Sequence, residues 1–284
     1  MSKINVLLSC NNAEKTIDEC VESILNQTYQ DFRLLIFDDL STDSTVNKIL
    51  DFKDSRITLI KSLKNIGTYA SKNFMLKNLV DSEFVALHDA DDISILNRFQ
   101  RQIEELEKDS NISCLGTGVL EFWENNEAPH TISGNKPVGN ERENFYPEKI
   151  TSSILKEIHE LLLDENQYPE YLKKKLCMNG TVMFRKNILD SLGGWDGNTR
   201  IAADTEIFLR SLSLGYIKNI NEILYKRRFH ANSLTASSKV GIKSIARKNY
   251  NMSLSSIVEK TINETVKRDF YYPDFDFEVI NCAD

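Results

Sequence analysis

The chain has 284 residues, 41% of them hydrophobic and 27% charged, with 11 Gly and 5 Pro. This balance belongs to a globular protein with a full core and excludes global disorder and collagen-like repeats, and no apolar run nears the roughly 20 residues that a bilayer-crossing helix needs. The formal net charge of -7 argues against a broad electrostatic grip on nucleic acid, so an anionic ligand has to be held locally.

The first residues run straight into a strand pattern, without the basic segment and apolar stretch of a secretory leader, so the cytoplasm is the expected location. Residues 4–9 read as that strand, and 16–27 as an amphipathic helix with Ile17, Cys20, Val21, Ile24 and Leu25 at helical spacing. Further strands are predicted at 32–37, 56–60 and 84–87, alternating with helices at 43–52, 68–80 and 95–108. Such a βαβ series implies an α/β fold, a mainly parallel sheet flanked by helices, with its ligand site beyond the carboxyl ends of the strands. From residue 121 to 176 the pattern dissolves into a polar insertion, a candidate lid, with one helix-like stretch at 154–164. A strand at 180–184, a short helix at 186–192 closed by Gly193-Gly194 and a helix at 203–214 follow. Residues 241–284 read as a C-terminal tail, partly helical, with an aromatic and acidic end suited to a peripheral membrane contact through residues 270–277. The five cysteines, Cys10, Cys20, Cys114, Cys177 and Cys282, are odd in number and scattered, which fits reduced thiols better than zinc or a disulfide framework.

Polar groups gather after the strands. Ser9-Cys10-Asn11-Asn12 follows the first, Asp38-Asp39-Leu40-Ser41-Thr42-Asp43 the second, and His88-Asp89-Ala90-Asp91-Asp92 the fourth. Carboxylates one residue apart at a strand end can reach one hard divalent cation, and such a cation favours a diphosphate. The plainer alternative is that these acids cap the helices that follow. Two acidic clusters on one sheet edge favour a ligand site, where a carboxylate can also accept hydrogen bonds from a ribose or a base. A haloacid-dehalogenase-like nucleophile is disfavoured, because the D-x-D-x-T spacing is missing after residue 38.

Taken in order, Ser9-x-Asn11-Asn12, Ser23-Ile24-Leu25-Asn26-Gln27-Thr28-Tyr29, Asp38-Asp39-x-Ser41-Thr42-Asp43, Asn65-x-Gly67, His88-Asp89-Ala90-Asp91-Asp92, Gly193-Gly194-Trp195-Asp196 and Asp204-Thr205-Glu206 resemble glycosyltransferase family 2. The resemblance implies a GT-A Rossmann-like fold, a nucleotide-sugar donor (UDP-sugar foremost), Mn2+ or Mg2+, and inversion at the anomeric carbon. By position, Ser9 and Asp39 would contact the nucleoside, Asp38 would support that turn, Asp91 with Asp89 would hold the metal, and Asp204 would be the general base. Lys72 stands where many relatives carry Arg and would touch nucleotide or phosphates, unless it is a solvated helix lysine. His230 matches a downstream His that approaches metal or diphosphate, with a surface or packed imidazole as the alternative. Trp195-Asp196 would wall the acceptor, a core Trp being the competing reading. The departures are Asn11 for Tyr, Leu40 for Gly and Ala203 for Glu. Asp204 and Glu206 lie about 200° apart on a helix, so only one can face a cleft, and register with Arg210 favours Asp204.

Those expectations divide the chain into a catalytic domain, 1–240, and the tail, 241–284; the domain comprises a donor half at 1–120, the insertion at 121–176 and an acceptor half at 177–240. The expected acceptor is a glycan or lipid-linked glycan of surface polysaccharide synthesis, met in the cytoplasm or at the inner face of its membrane. A sugar nucleotidyltransferase is the rival enzyme, but residues 9–15 lack its Gly-rich, basic triphosphate loop. A catalytically silent nucleotide-sugar or glycan-binding module is the rival from another class.

Overall fold

The computed structural model describes residues 1–123, 138–162, 176–230 and 245–283. The first half alternates as the apolar runs predict: β1 (Ile4–Cys10), α1 (Ile17–Leu25), β2 (Phe32–Asp38), α2 (Thr45–Asp51), β3 (Ile57–Ser62), α3 (Thr68–Asn78), β4 (Phe84–Asp89), β5 (Ile93–Ser94) and α4 (Arg98–Lys108). The second half carries β6 (Ile112–Trp123), β7 (Glu141–Asn144), β8 (Lys149–Ile150), α5 (Ile154–Leu162), a 3-10 turn at Asn179–Thr181, β9 (Met183–Arg185), α6 (Lys186–Leu192), α7 (Ala203–Ser211), β10 (Tyr216–Phe229), α8 (Ile245–Asn263) and β11 (Phe277–Asn281).

All described strands join one sheet, whose main path runs β11-β3-β2-β1-β4-β9-β6-β10-β5. β3, β2, β1 and β4 are mutually parallel, and β6 and β10 form a second parallel pair. Between them β9 runs antiparallel to both β4 and β6, and β11 runs antiparallel to β3, so short antiparallel strands join a sheet whose long ladders are parallel. Strands buried on both faces explain the unbroken apolar runs of the sequence. Val6, Leu8, Leu34 and Ile36 face α1, α2 and α4, whereas Leu7, Leu35 and Phe37 face α3 and α5 to α8. α1 presents Ile17, Cys20, Val21 and Ile24 to this core, as its spacing predicts.

Several elements differ from the sequence pattern. The helix predicted from residue 95 starts at Arg98, because Ile93–Ser94 is spent pairing with β10. The strand predicted at 180–184 is confined to Met183–Arg185 behind the 3-10 turn. Within 121–176, β7 pairs with β6 and β8 with β10, and α5 follows them; residues 124–137 and 163–175 lie outside the described residues. Of the C-terminal tail, the described residues 245–283 pack on the rest of the chain: α8 enters the core through Leu254 and Val258, and β11 extends the sheet. The aromatic run folds inward too, with Phe275 edge-on to Phe37 and Phe74 and Tyr272 edge-on to Phe74. Of that segment Tyr271 and Phe277 remain exposed, which removes most of the apolar surface a membrane contact there would use. No helix among the described residues is long and apolar enough to cross a membrane. All five cysteines are free and buried.

Candidate active site

The strand ends deliver the acids as the topology requires. Beyond β2, Asp38 accepts the Ser41 N–H at 3.1 Å, which holds the turn, and Leu40 there adopts φ 67°, a conformation that suits Gly better than a branched side chain. Asp39 is buried, and its two carboxylate oxygens accept the backbone N–H groups of Ile66 and Gly67 at 2.6 and 2.8 Å. Burial raises its pKa above the ordinary aspartate value against the pull of those two bonds. Asn65 closes the same loop by donating to the Asp39 carbonyl at 2.9 Å.

Ser9, at the end of β1, receives the Ser71 hydroxyl at 2.9 Å. The first turns of α3 thus touch both donor-side positions, and they reach the others. Tyr69 donates its hydroxyl to Asp204 at 3.3 Å. Lys72 is only 1% exposed, its ammonium 5.8 Å from the Tyr69 ring centre and 6.0 Å from that of Trp195. Burial lowers the Lys72 pKa, opposed by the charges of Asp89 and Asp204. The solvated-lysine reading is therefore wrong: this cation is sunk between the acidic turn and the candidate base. The α3 start, residues 67–72, is the hub around which Ser9, Asp39, Asp89 and Asp204 assemble.

The acidic turn after β4 is held from several sides. His88 is buried, and desolvation first, then the Arg98 charge, push its pKa down to about 3, so its ring is neutral. One nitrogen, Nδ1, lies 2.8 Å from the Asp89 carbonyl and so carries the proton, which leaves Nε2 to accept from Ser94 Oγ at 3.0 Å. Asp89 has one carboxylate oxygen at 3.2 Å from Asn179 Nδ2, and burial raises its pKa. Asp92 is spent on structure, accepting the Arg228 N–H at 2.8 Å. Asp91 faces outward, with His230 Nε2 2.9 Å from its Oδ2. Two carboxylates one residue apart and an imidazole suit Mg2+ or Mn2+, which take one or two protein carboxylates and complete their shell with phosphate and water. Among the described residues no group of three or more His, Cys, Asp or Glu forms a ready-made cage.

The two acids of α7 have different surroundings. Glu206 is fully buried, accepting Arg210 Nε and Nη2, each at 2.8 Å, and Arg268 Nε at 2.7 Å. Arg210 is thus the partner of Glu206, one helical turn away, whereas Asp204 is half-buried and accepts from Tyr69. Trp195 does not wall an acceptor: its ring is fully buried, edge-on to Phe184 at 6.3 Å, and it offers no face to solvent. Asp196 is engaged by Arg268 at 3.4 Å and by the Asn198 N–H at 3.1 Å. Sequence reasoning passed over Tyr69, Asn179 and Arg268; the available signal for the first was a polar run, Ser71-Lys72-Asn73, inside a helix buried on every side.

The model of the family described as glycosyl transferase family 2 matches residues 6–193. The chain belongs to this family. It is 29% identical over 232 residues to a protein of Bacillus subtilis named putative glycosyltransferase EpsE, covering 80% of this chain and 73% of that one. It is also 37% identical over 143 residues to an Escherichia coli UDP-Glc:alpha-D-GlcNAc-diphosphoundecaprenol beta-1,3-glucosyltransferase, WfgD, covering 48% of this chain and 55% of that enzyme. The fold matches Staphylococcus aureus TarS 1-349 solved with UDP-GlcNAc, with a TM-score of 0.60 at 16% identity over 81% of this chain and 60% of TarS. A Pyrobaculum calidifontis mannosyltransferase solved with GDP-Man and Mn2+ matches with a TM-score of 0.56 at 14% identity over 92% of this chain and 73% of its own. The chain is accordingly a GT-A-type glycosyltransferase that uses a nucleotide-sugar donor.

Proposed function

We propose that the enzyme moves a sugar from a UDP-sugar to a hydroxyl of a glycan or lipid-linked glycan, with Mg2+ or Mn2+ and with inversion, in cytoplasmic steps of surface polysaccharide synthesis. The observation that carries this reading is the α3 hub, whose side chains and N–H groups touch the nucleoside-side Ser9 and Asp39 and the base-side Asp204, with Lys72 between Asp204 and the acidic turn. UDP is favoured over GDP by the WfgD name.

In this reading Ser9 and Asp39 bind the nucleoside, and Asp38 fixes the turn that presents Asp39. Asp89 and Asp91 would hold the divalent ion, with His230 orienting or sharing in Asp91. A bound ion supplies Lewis acidity to the departing diphosphate. Lys72 places a fixed positive charge near that diphosphate, where low polarity strengthens it. Asp204 takes the acceptor hydroxyl proton as that oxygen attacks the anomeric carbon, and direct displacement needs only this one base, because the leaving group departs as an anion.

The test is a panel of UDP, GDP and their sugars with Mg2+ or Mn2+, read by melting temperature and by slow donor hydrolysis. A ligand at 100-fold its Kd adds about 2.7 kcal/mol, or about 5–10 °C. If UDP and its sugars with metal leave the melting temperature unmoved, the donor assignment is wrong.

A further inference from the structure

A cavity of about 210 Å³ lies beside the donor loop, lined among others by Lys64, Asn65, Asn198, Arg200, Tyr271 and Pro273. Three parts of the chain build it: the loop after β3, the turn leading into α7, and the C-terminal segment. Its two cations have no carboxylate oxygen within 4 Å among the described residues, in a chain whose formal charge is -7. Arg200 is held in place rather than loose. One of its Nη atoms donates to the Asn65 carbonyl at 2.9 Å and the other to the Asn65 side chain. That leaves part of the guanidinium edge for an anion, the group for which its planar fork is best suited. Arg200 stands four residues before Asp204, joined to it through the buried Ile201 and through Ala202, fixed at φ 56°. The cavity therefore adjoins both the segment that leads into α7 and the loop that holds Asp39, on which the Arg200 charge acts, and it lies apart from the acidic turn.

We propose that this cavity receives a phosphate or diphosphate group of the acceptor, with Arg200 and Lys64 as its cationic contacts. The inference rests on the glycosyltransferase reading above and adds the chemical class of the acceptor's other end. Two positive charges match a doubly charged phosphate better than a single carboxylate. The amide of Asn198 serves a hydroxyl of the sugar that carries it, and the Tyr271 and Pro273 faces take its C–H surface. The cavity volume accommodates this local group and not a whole glycan or lipid, so only the end nearest the reacting sugar is read here.

The experiment titrates the full chain, saturated with UDP and Mg2+, with octyl diphosphate, octyl glucuronide and octyl glucoside. Octyl diphosphate should bind at least tenfold tighter than the other two. Lys64→Gln and Arg200→Gln should each weaken it by about tenfold, Arg200→Lys should recover part of that loss, and Lys64→Gln should leave UDP affinity unchanged. Equal binding of all three compounds, preferred binding of the glucuronide, or variants that bind octyl diphosphate as the wild type does would overturn the proposal. Loss of UDP affinity in Lys64→Gln would also overturn it, since the cavity would then belong to the donor. The titration is repeated without nucleotide, so a chain that fails to bind UDP, which defeats the donor assignment, still reports on the cavity.

Discussion

Asp204 and Glu206 lie two residues apart on α7, and replacing each carboxylate by its amide should separate the base from the acid that builds the helix. Glu206 accepts three charge-assisted bonds from Arg210 and Arg268, and Arg210 is completely buried. Glu206→Gln leaves those guanidinia without an anion, and breaking a buried pair in this way costs about 3–5 kcal/mol. At about 2–4 °C per kcal/mol, the melting temperature should fall by roughly 6–20 °C. Asp204 has a different position, half-buried with one bond from Tyr69 at 3.3 Å. Asp204→Asn should cost under about 1 kcal/mol of stability while lowering turnover by about 10²–10⁴-fold. Thermal melts, calorimetric UDP affinity and UDP release from the donor give the three readouts. The reasoning fails if Asp204→Asn keeps turnover within tenfold of wild type, or if Glu206→Gln melts like the wild type and is inactive.

Lys72→Met should raise the melting temperature, because it removes a charge whose burial costs more than the attraction of Asp89 and Asp204 returns, and should weaken UDP binding measured by calorimetry. Since the folded-state pKa of Lys72 lies below 10.5, the unfolded chain holds that proton more tightly, so wild-type stability gains as pH rises towards 10.5, a gain Lys72→Met should lack. Burial raises the Asp39 pKa, so on acidification Asp39 loses its charge at a higher pH than an ordinary aspartate, and UDP affinity should fall through that window. Asp39→Asn should bind UDP weakly and with no such pH step. Gly193→Ala should destabilise by about 3 kcal/mol or more in a denaturant melt, because Gly193 has φ 73° and a Cβ there would run into the Arg268 carbonyl oxygen.

The donor half could be read from sequence because each of its signals is local. β1 to β4 are buried on both faces and show as apolar runs, and α1 and α4 keep helical spacing. The two longest strands escaped. β6 contains Gly116, Thr117 and Gly118, while β10 carries Lys218, Lys226, Arg227 and Arg228, and its pairing with β6 shifts register three times. Each shift resets the two-residue alternation on which a strand is recognised. The same limit applies within the site. The acids at the strand ends are visible because topology places them, but the fates of Glu206, Trp195 and Lys72 depend on partners distant in sequence, such as Arg268, Phe184 and Asp89.

β11 borders β3 across the longest reach among the described residues, the bond from the Cys282 N–H to the Ile57 carbonyl closing a separation of 225 residues. During synthesis the β3 edge therefore stands bare from early on, an open invitation to pair with another chain until β11 emerges. The same late segment brings Arg268 to Glu206 and Asp196, so the scaffold beside Asp204 waits for it. Production of the enzyme should consequently be most vulnerable to aggregation when translation stalls after α8, at a stage when every donor-side acid has already been made.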